Sequence, residues 1–260
     1  KSCNTYFSNV YRRIIDKDNK VEENINNWHK HLNSFGLGNY LGYDHPVGQP
    51  GYVPNANFYN LWYPNQRWRG STIVSNAIGQ GEILMTPIQL ANVAATIANR
   101  GFFYTPHFVK GIQGDFIDPK YKTKRATSIS KEHFTNVIEG MADVVSKGTA
   151  RVAGIRGIEV CGKTGTIENF TKIDGVRTQL TDHSVFIAFA PKDDPKIALA
   201  VIVENGYWGA RWAAPIASLV IEKYLKGEVK RRWLENRMLN GSLEEGYAKV
   251  TSNKPFAINE

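Results

Sequence analysis

The chain has 260 residues, the upper range for a single hydrophobic core. Apolar residues make up 42% and charged ones 22%, with 23 Gly and 11 Pro spread along it, which excludes collagen, coiled coil and intrinsic disorder. The net charge of +8 divides unevenly: residues 1–130 hold 14 basic and 8 acidic side chains, residues 131–260 hold 18 and 16, and no compact Lys/Arg block or nucleic-acid-binding pattern accompanies the surplus.

The longest apolar run, Ile197 to Val203, has seven residues, well short of the roughly 20 that span a bilayer. Two cysteines, Cys3 and Cys161, cannot form a disulfide framework. The chain opens on Lys1 rather than Met and reads as a processed or excised piece of a longer protein.

In chain order, Val21, Ile25, Trp28, Leu32 and Phe35 recur at helical spacing and stop at Gly36, which predicts a helix over 21–35. From Gly36 to Gly81 the chain is rich in Gly, Pro, Asn and aromatics without sustained periodicity, a long packed loop with short helical turns. Thr86-Pro87 then opens a buried helix carried by Leu90, Val93, Ala94, Ile97 and Ala98 and ended by Gly101. A second stripe, Phe134, Val137, Ile138, Met141, Val144 and Val145, predicts a helix from about Ser130 to Gly148.

After Gly148 the period changes. Segments 157–166, 183–190 and 197–204 read as strands, the last two as an antiparallel hairpin across Lys192-Asp193-Asp194-Pro195. Residues 210–226, with Pro215, Ile216, Leu219, Val220 and Tyr224 before Gly227, form a helix that can cover the sheet. The expected class is α/β of the α+β kind. Residues 1–227 are expected to form the main domain and 228–260 a polar extension holding at most one more helix.

The sharpest string is Lys163-Thr164-Gly165-Thr166, expected at the end of a strand from Ile158 to Cys161. A lysine and two hydroxyls there, with a glycine leaving room for a substrate backbone, can bind a carboxylate and aim backbone N–H groups at an oxyanion. The same lysine also completes Gly157-Ile158-Glu159-Val160-Cys161-Gly162-Lys163-Thr164, a match to the phosphate-binding P-loop. Its intervening residues are strand-like and Thr164 to Ile167 is a poor helix start, so a nucleotide-binding protein is the alternative reading.

Ser2-Cys3-Asn4 is an S-x-N tripeptide, and with Lys163-Thr164-Gly165 it supplies the second and third of the motifs S-x-x-K, S-x-N and K-T-G, in order. Ser128-Ile129-Ser130-Lys131 is formally S-x-x-K, but it follows a polar loop and precedes the apolar stripe, the position of a solvent-facing helix cap. His29, His31, His45, His107 and His133 lack ligand-spaced neighbours, so no metal site is expected. Cys3 and Cys161 are expected to be small buried fillers, and Tyr59, Trp62, Tyr63 and Trp68 packing aromatics.

The opening Ser2-Cys3-Asn4-Thr5-Tyr6-Phe7 resembles the class B penicillin-binding proteins. Trp68-Arg69-Gly70-Ser71-Thr72, Ile78-Gly79-Gln80-Gly81, Thr86-Pro87-Ile88-Gln89, Gly148-Thr149-Ala150, Asp182-His183 and Phe189-Ala190-Pro191 agree with it, most closely with the elongation-type branch. The resemblance covers about residues 1–227. It implies a serine β-lactamase/D,D-peptidase-like fold, an antiparallel sheet flanked by helices with an all-helical subdomain. It also implies peptidoglycan D,D-transpeptidase chemistry, with β-lactams acylating the same serine.

By that resemblance Ser2 would relay a proton and Asn4 would bind the substrate amide. Lys163 would hold Ser2 and supply positive potential, and Thr164, Gly165 and Thr166 would bind substrate, the Thr166 N–H forming half of the oxyanion hole. No metal or organic cofactor is implied. The family's nucleophile lies in an S-x-x-K upstream of S-x-N, so this chain is expected to lack it and to be inactive alone. The resemblance further implies an extracytoplasmic or periplasmic setting, an N-terminal membrane anchor outside this chain and a glycan-polymerising membrane partner. Two strands of the family's sheet would also lie upstream, so the strand at 197–204 is expected to offer an unpaired edge for self-association. A non-catalytic wall-binding module of the same fold is the remaining alternative.

Overall fold

The structure is a computed structural model that describes residues 2–45, 47–111, 113 and 117–244. It divides into two compact units, 1–133 and 134–260.

The first unit is mainly helical: α1 (Asn4–Ile15), α2 (Val21–Ser34), α3 (Ala56–Trp62) and α4 (Pro87–Ala98), with a two-residue antiparallel ribbon of β1 (Phe102–Phe103) and β2 (Arg125–Ala126). Helix α2 matches its predicted stripe. Helix α1 adds to the predicted elements: Tyr11 and Ile15 are its buried residues, while Tyr6, Phe7 and Ile14 on the same helix are exposed. Tyr11, Ile15, Ile25, Ala56, Tyr59, Trp68 and Ile73 form the core here, and Tyr11 meets Trp28 edge-on at 5.5 Å.

Helix α4 begins with a capping box between Thr86 and Gln89. The fully buried Gln89 amide then donates to the carbonyls of Gly36 (3.2 Å), Asn39 (3.0 Å) and Pro50 (2.8 Å). This one side chain satisfies backbone that the irregular 36–81 stretch cannot pair internally, and so fixes a loop without periodicity.

The second unit holds α5 (Phe134–Ser146), β3 (Cys161–Ile167), β4 (Phe170–Ile173), β5 (Val176–Gln179), β6 (His183–Ala190), β7 (Ile197–Val203), α6 (Ala213–Lys226) and α7 (Arg232–Leu239). Strands β3, β6 and β7 form an antiparallel sheet in that order, with Thr164 opposite Phe186 and Ala188 opposite Leu199. The core between sheet and helices gathers Val144, Val145, Phe186, Ala188, Ala213, Ala217 and Ile221. The α+β expectation and the 197–204 hairpin partner are as read from periodicity.

Several expectations change. Strand β3 starts at Cys161 rather than 157, so Lys163-Thr164-Gly165-Thr166 lies inside the strand and not at its end. That placement removes the P-loop reading, because Lys163-Thr164 opens no helix whose N-terminus could face a phosphate. The β4–β5 hairpin was missed although it carries an Asp-Gly turn, with Asp174 at φ 52° and Gly175 at φ 81°. Residues 228–239 also pack onto the fold: Leu234 is fully buried and Arg231 pairs with buried Glu222. Residues 245–260 of the expected extension lie outside the described residues.

Among the described residues β7 pairs with β6 alone, leaving its other edge without a strand. No helix among them is long and apolar enough to cross a membrane.

Candidate functional site

Strand alternation places Gly162, Thr164 and Thr166 on one face of β3 and Lys163 and Gly165 on the other. The two threonine hydroxyls therefore share a face, and β3 is an edge strand, paired among the described residues with β6 only. Lys163 Nζ curls back to donate to the Thr164 carbonyl at 2.7 Å. Its half-buried position disfavours the ammonium and lowers its pKa below the ordinary lysine value.

Close contacts hold this strand flat against its surroundings. A Cβ on Gly162 would come within 2.3 Å of the Phe186 ring, so only glycine fits beneath that side chain. The segment after β7 passes equally close: a Cβ on Gly209 would meet Val185 O at 2.4 Å and Gly165 O at 2.8 Å. Buried Ser184 fastens that segment, donating to Trp208 O at 3.0 Å and accepting from the Ala213 N–H at 3.2 Å. Thr149, from the turn after α5, sets its hydroxyl 3.1 Å from that of Thr164. The Gly148-Thr149-Ala150 string thus reaches the site, a role sequence spacing alone did not give Thr149.

His183 accepts from the Asn205 N–H through Nδ1 at 3.0 Å, and the Asn169 amide donates to Asn205 Oδ1 at 2.7 Å. His183 is thus held in a hydrogen-bonded chain at the start of β6.

Ser2 and Asn4 belong to the first unit, exposed at the start of α1, with Cys3 as its N-cap residue. Cys3 is exposed, contrary to expectation, because it precedes the turn in which the buried face of α1 begins; Cys161 is buried as expected. Helix α1 is seated by polar contacts. The Gly70 N–H donates to Asp16 at 2.8 Å, buried Asn76 donates to the hydroxyls of Tyr11 and Tyr59, and Tyr59 donates to Glu82 at 3.0 Å. Burial raises both tyrosines well above the phenol range, so both stay protonated. Tyr59 and Trp68 are core residues, whereas Trp62 is exposed.

Ser128 is exposed: its N–H donates to Ser34 Oγ at 3.1 Å, and its hydroxyl oxygen lies 2.6 Å from His31 Nδ1 and 3.0 Å from Ser34 Oγ, while Lys131 opens a short turn before α5. This S-x-x-K string is a solvent-facing surface segment.

Residues 1–222 match the family described as "Penicillin binding protein transpeptidase domain". The chain is 32% identical to the peptidoglycan D,D-transpeptidase MrdA of Acinetobacter baumannii, over 93% of this chain and 36% of that protein. It is 37% identical to the peptidoglycan D,D-transpeptidase PbpA of Mycobacterium tuberculosis, over 58% of this chain and 32% of that one. It therefore spans about a third of the length of these relatives. Among solved structures it is similar to Pseudomonas aeruginosa PBP2 in complex with WCK 5153, at 30% identity and TM-score 0.70, covering 88% of this chain and 49% of that one. It is likewise similar to PBP2 of Helicobacter pylori in complex with MreC, at 28% identity and TM-score 0.63, covering 86% and 38%.

Proposed function

The chain belongs to the penicillin-binding protein transpeptidase family, and from that premise we propose that its gene product is a peptidoglycan D,D-transpeptidase whose substrate-carboxylate strand is β3. The observation that carries this reading is the pair of hydroxyls, Thr164 and Thr166, on one face of an edge strand that also bears Lys163.

In the reaction a serine oxygen attacks the carbonyl carbon between the two D-Ala residues of a stem peptide. The C–N bond breaks, D-Ala leaves with a proton, and the ester passes its acyl group to an amine of a neighbouring stem. Thr164 and Thr166 bind the terminal carboxylate, and Gly165 leaves space for the substrate backbone. The free edge of β3 pairs with that backbone as an added strand, and the Thr166 N–H stabilises the oxyanion. Lys163 supplies positive potential, Ser2 relays the proton to the leaving amine, and Asn4 binds the substrate amide.

The attacking serine is assigned to a segment outside residues 1–260, because Ser128 of the Ser128–Lys131 string is exposed and engaged with His31 and Ser34. Fluorescent penicillin tests the assignment. The complete gene product takes one covalent label and residues 1–260 alone take none. Stoichiometric labelling of residues 1–260 contradicts the placement of the nucleophile, and an unlabelled complete product favours a non-catalytic wall-binding module.

The reading extends to setting and partners. The enzyme works outside the cytoplasm, at the periplasmic face of the inner membrane, anchored by an N-terminal segment and coupled to a glycan-polymerising membrane protein. Residues 1–260 alone self-associate through the open edge of β7, whose aliphatic side chains are all half-buried. Light scattering that finds a clean monomer, with β7 amides protected from exchange, removes this last point.

A further inference from the structure

Arg231 lies beyond residue 222, where the family match ends, yet its guanidinium reaches back into the second unit. Its Nε donates to Glu222 Oε2 at 3.0 Å, and Nη2 to Ser218 O at 3.0 Å. Its Nη1 donates to Gly154 O at 3.0 Å and Val152 O at 3.4 Å. Glu222 is 2% exposed, so its carboxylate has exchanged water for this guanidinium.

The two Nη1 acceptors belong to the turn 148–154. That turn is fixed on its other side as well: a Cβ on Gly148 would lie 2.7 Å from Val144 Cα, and the Ala150 N–H donates to Val144 O at 2.9 Å. Ala150 and Ala153 are fully buried. Between these anchors Thr149 presents its hydroxyl to Thr164 at 3.1 Å. A guanidinium on the C-terminal segment and a hydroxyl on β3 are thus tied to one short turn.

We propose that Arg231 is a positioning residue for Thr164: by holding the Val152 and Gly154 carbonyls against α6 it sets the turn from which Thr149 orients the Thr164 hydroxyl. The inference rests on the assignment of carboxylate binding to Thr164. Arginine suits the task because its planar fork serves several fixed acceptors at once, which a lysine ammonium beside Glu222 does not.

The test uses the complete gene product and the ratio of its acylation rate constants for benzylpenicillin and benzylpenicillin methyl ester. A loss of folded protein lowers both rates equally and leaves the ratio unmoved. Arg231→Lys, and Arg231→Met combined with Glu222→Met so that no buried carboxylate is left unpaired, are expected to lower the ratio about three- to ten-fold, a fraction of the full worth of a hydroxyl hydrogen bond to a charged group, which is misdirected here and not removed. Thr164→Ala lowers it at least as far. If Thr164→Ala lowers the ratio while both Arg231 variants keep the unmutated value, Arg231 has no positioning role. If Thr164→Ala leaves the ratio unchanged, the carboxylate assignment fails and this inference with it.

Discussion

The hydroxyl oxygens of Thr149 and Thr164 lie 3.1 Å apart, one on the turn after α5 and one on β3. Each hydroxyl has one proton to give. When one donates to the other, the second proton is left for a further acceptor, and the geometry of the pair limits where it points. A substrate carboxylate is the acceptor that the proposed function places there.

Thr149→Val keeps the side-chain shape and removes this hydroxyl. Acylation by benzylpenicillin is expected to slow about three- to ten-fold, a fraction of the roughly 1.5–3 kcal/mol of a hydrogen bond to a charged group, since the Thr164 bond is misdirected and not removed. Thr149 is at the surface, so the thermal midpoint should scarcely move. Stopped-flow acylation and a melting curve on the same sample read both.

Gly162→Ala places a methyl group where the Phe186 ring stands, at 2.3 Å. Phe186 is fully buried and cannot swing aside freely. A loss of about 1–3 kcal/mol is expected, the usual range for overpacking, and a urea midpoint measures it. Phe186→Leu in the same background should recover part of the loss.

Lys163 gives a pH dependence with a definite sign. Burial lowers its pKa below 10.5 in the folded protein, while the unfolded chain keeps the ordinary value. Between those two values the unfolded chain binds more protons, so the burial penalty, full below the folded pKa, is relieved as pH rises through this window. Activity runs the other way, because the ammonium supplies the potential. Acylation should decline on an alkaline limb that begins below 10.5. Lys163→Arg should carry that limb beyond the range measured, and a pH–rate profile identical in both proteins would contradict the role.

Ser128→Ala and Lys131→Ala test the formal S-x-x-K string. Both side chains are exposed, and Ser128 is engaged with Ser34 and His31. Penicillin acylation of the complete gene product is expected to stay within about two-fold, as for ordinary surface substitutions. Loss of label in Ser128→Ala would make it the nucleophile.

What could be read in advance follows from the kind of signal each segment carries. The Thr86-Pro87 start of α4 and the Gly227 stop of α6 are local chemistry, and the structure places both where the residues put them. Helix α1 carries apolar residues beyond its buried face, with Tyr11 and Ile15 buried while Tyr6, Phe7 and Ile14 are exposed, and Asp16, Asn76 and Trp28 seat it through contacts no local pattern encodes. The β4–β5 hairpin is signalled by Asp174-Gly175 alone, because its strands are four residues each and mostly exposed and so carry no apolar alternation. At the candidate site the residue types of β3 were plain, but not its register, since Cys161 and Gly162 pair with β6 only through contacts distant in sequence. Thr149 and Arg231 joined the site for the same reason: no local pattern encodes a hydroxyl pair or a guanidinium reaching back to a distant turn.

The most direct test of the assignment of β3 is a crystal structure of the complete gene product acylated by benzylpenicillin. The carboxylate of the adduct should lie within hydrogen-bonding distance of the Thr164 and Thr166 hydroxyls, with the ester on a serine outside residues 1–260. A carboxylate held elsewhere, or an ester on Ser128, would contradict it.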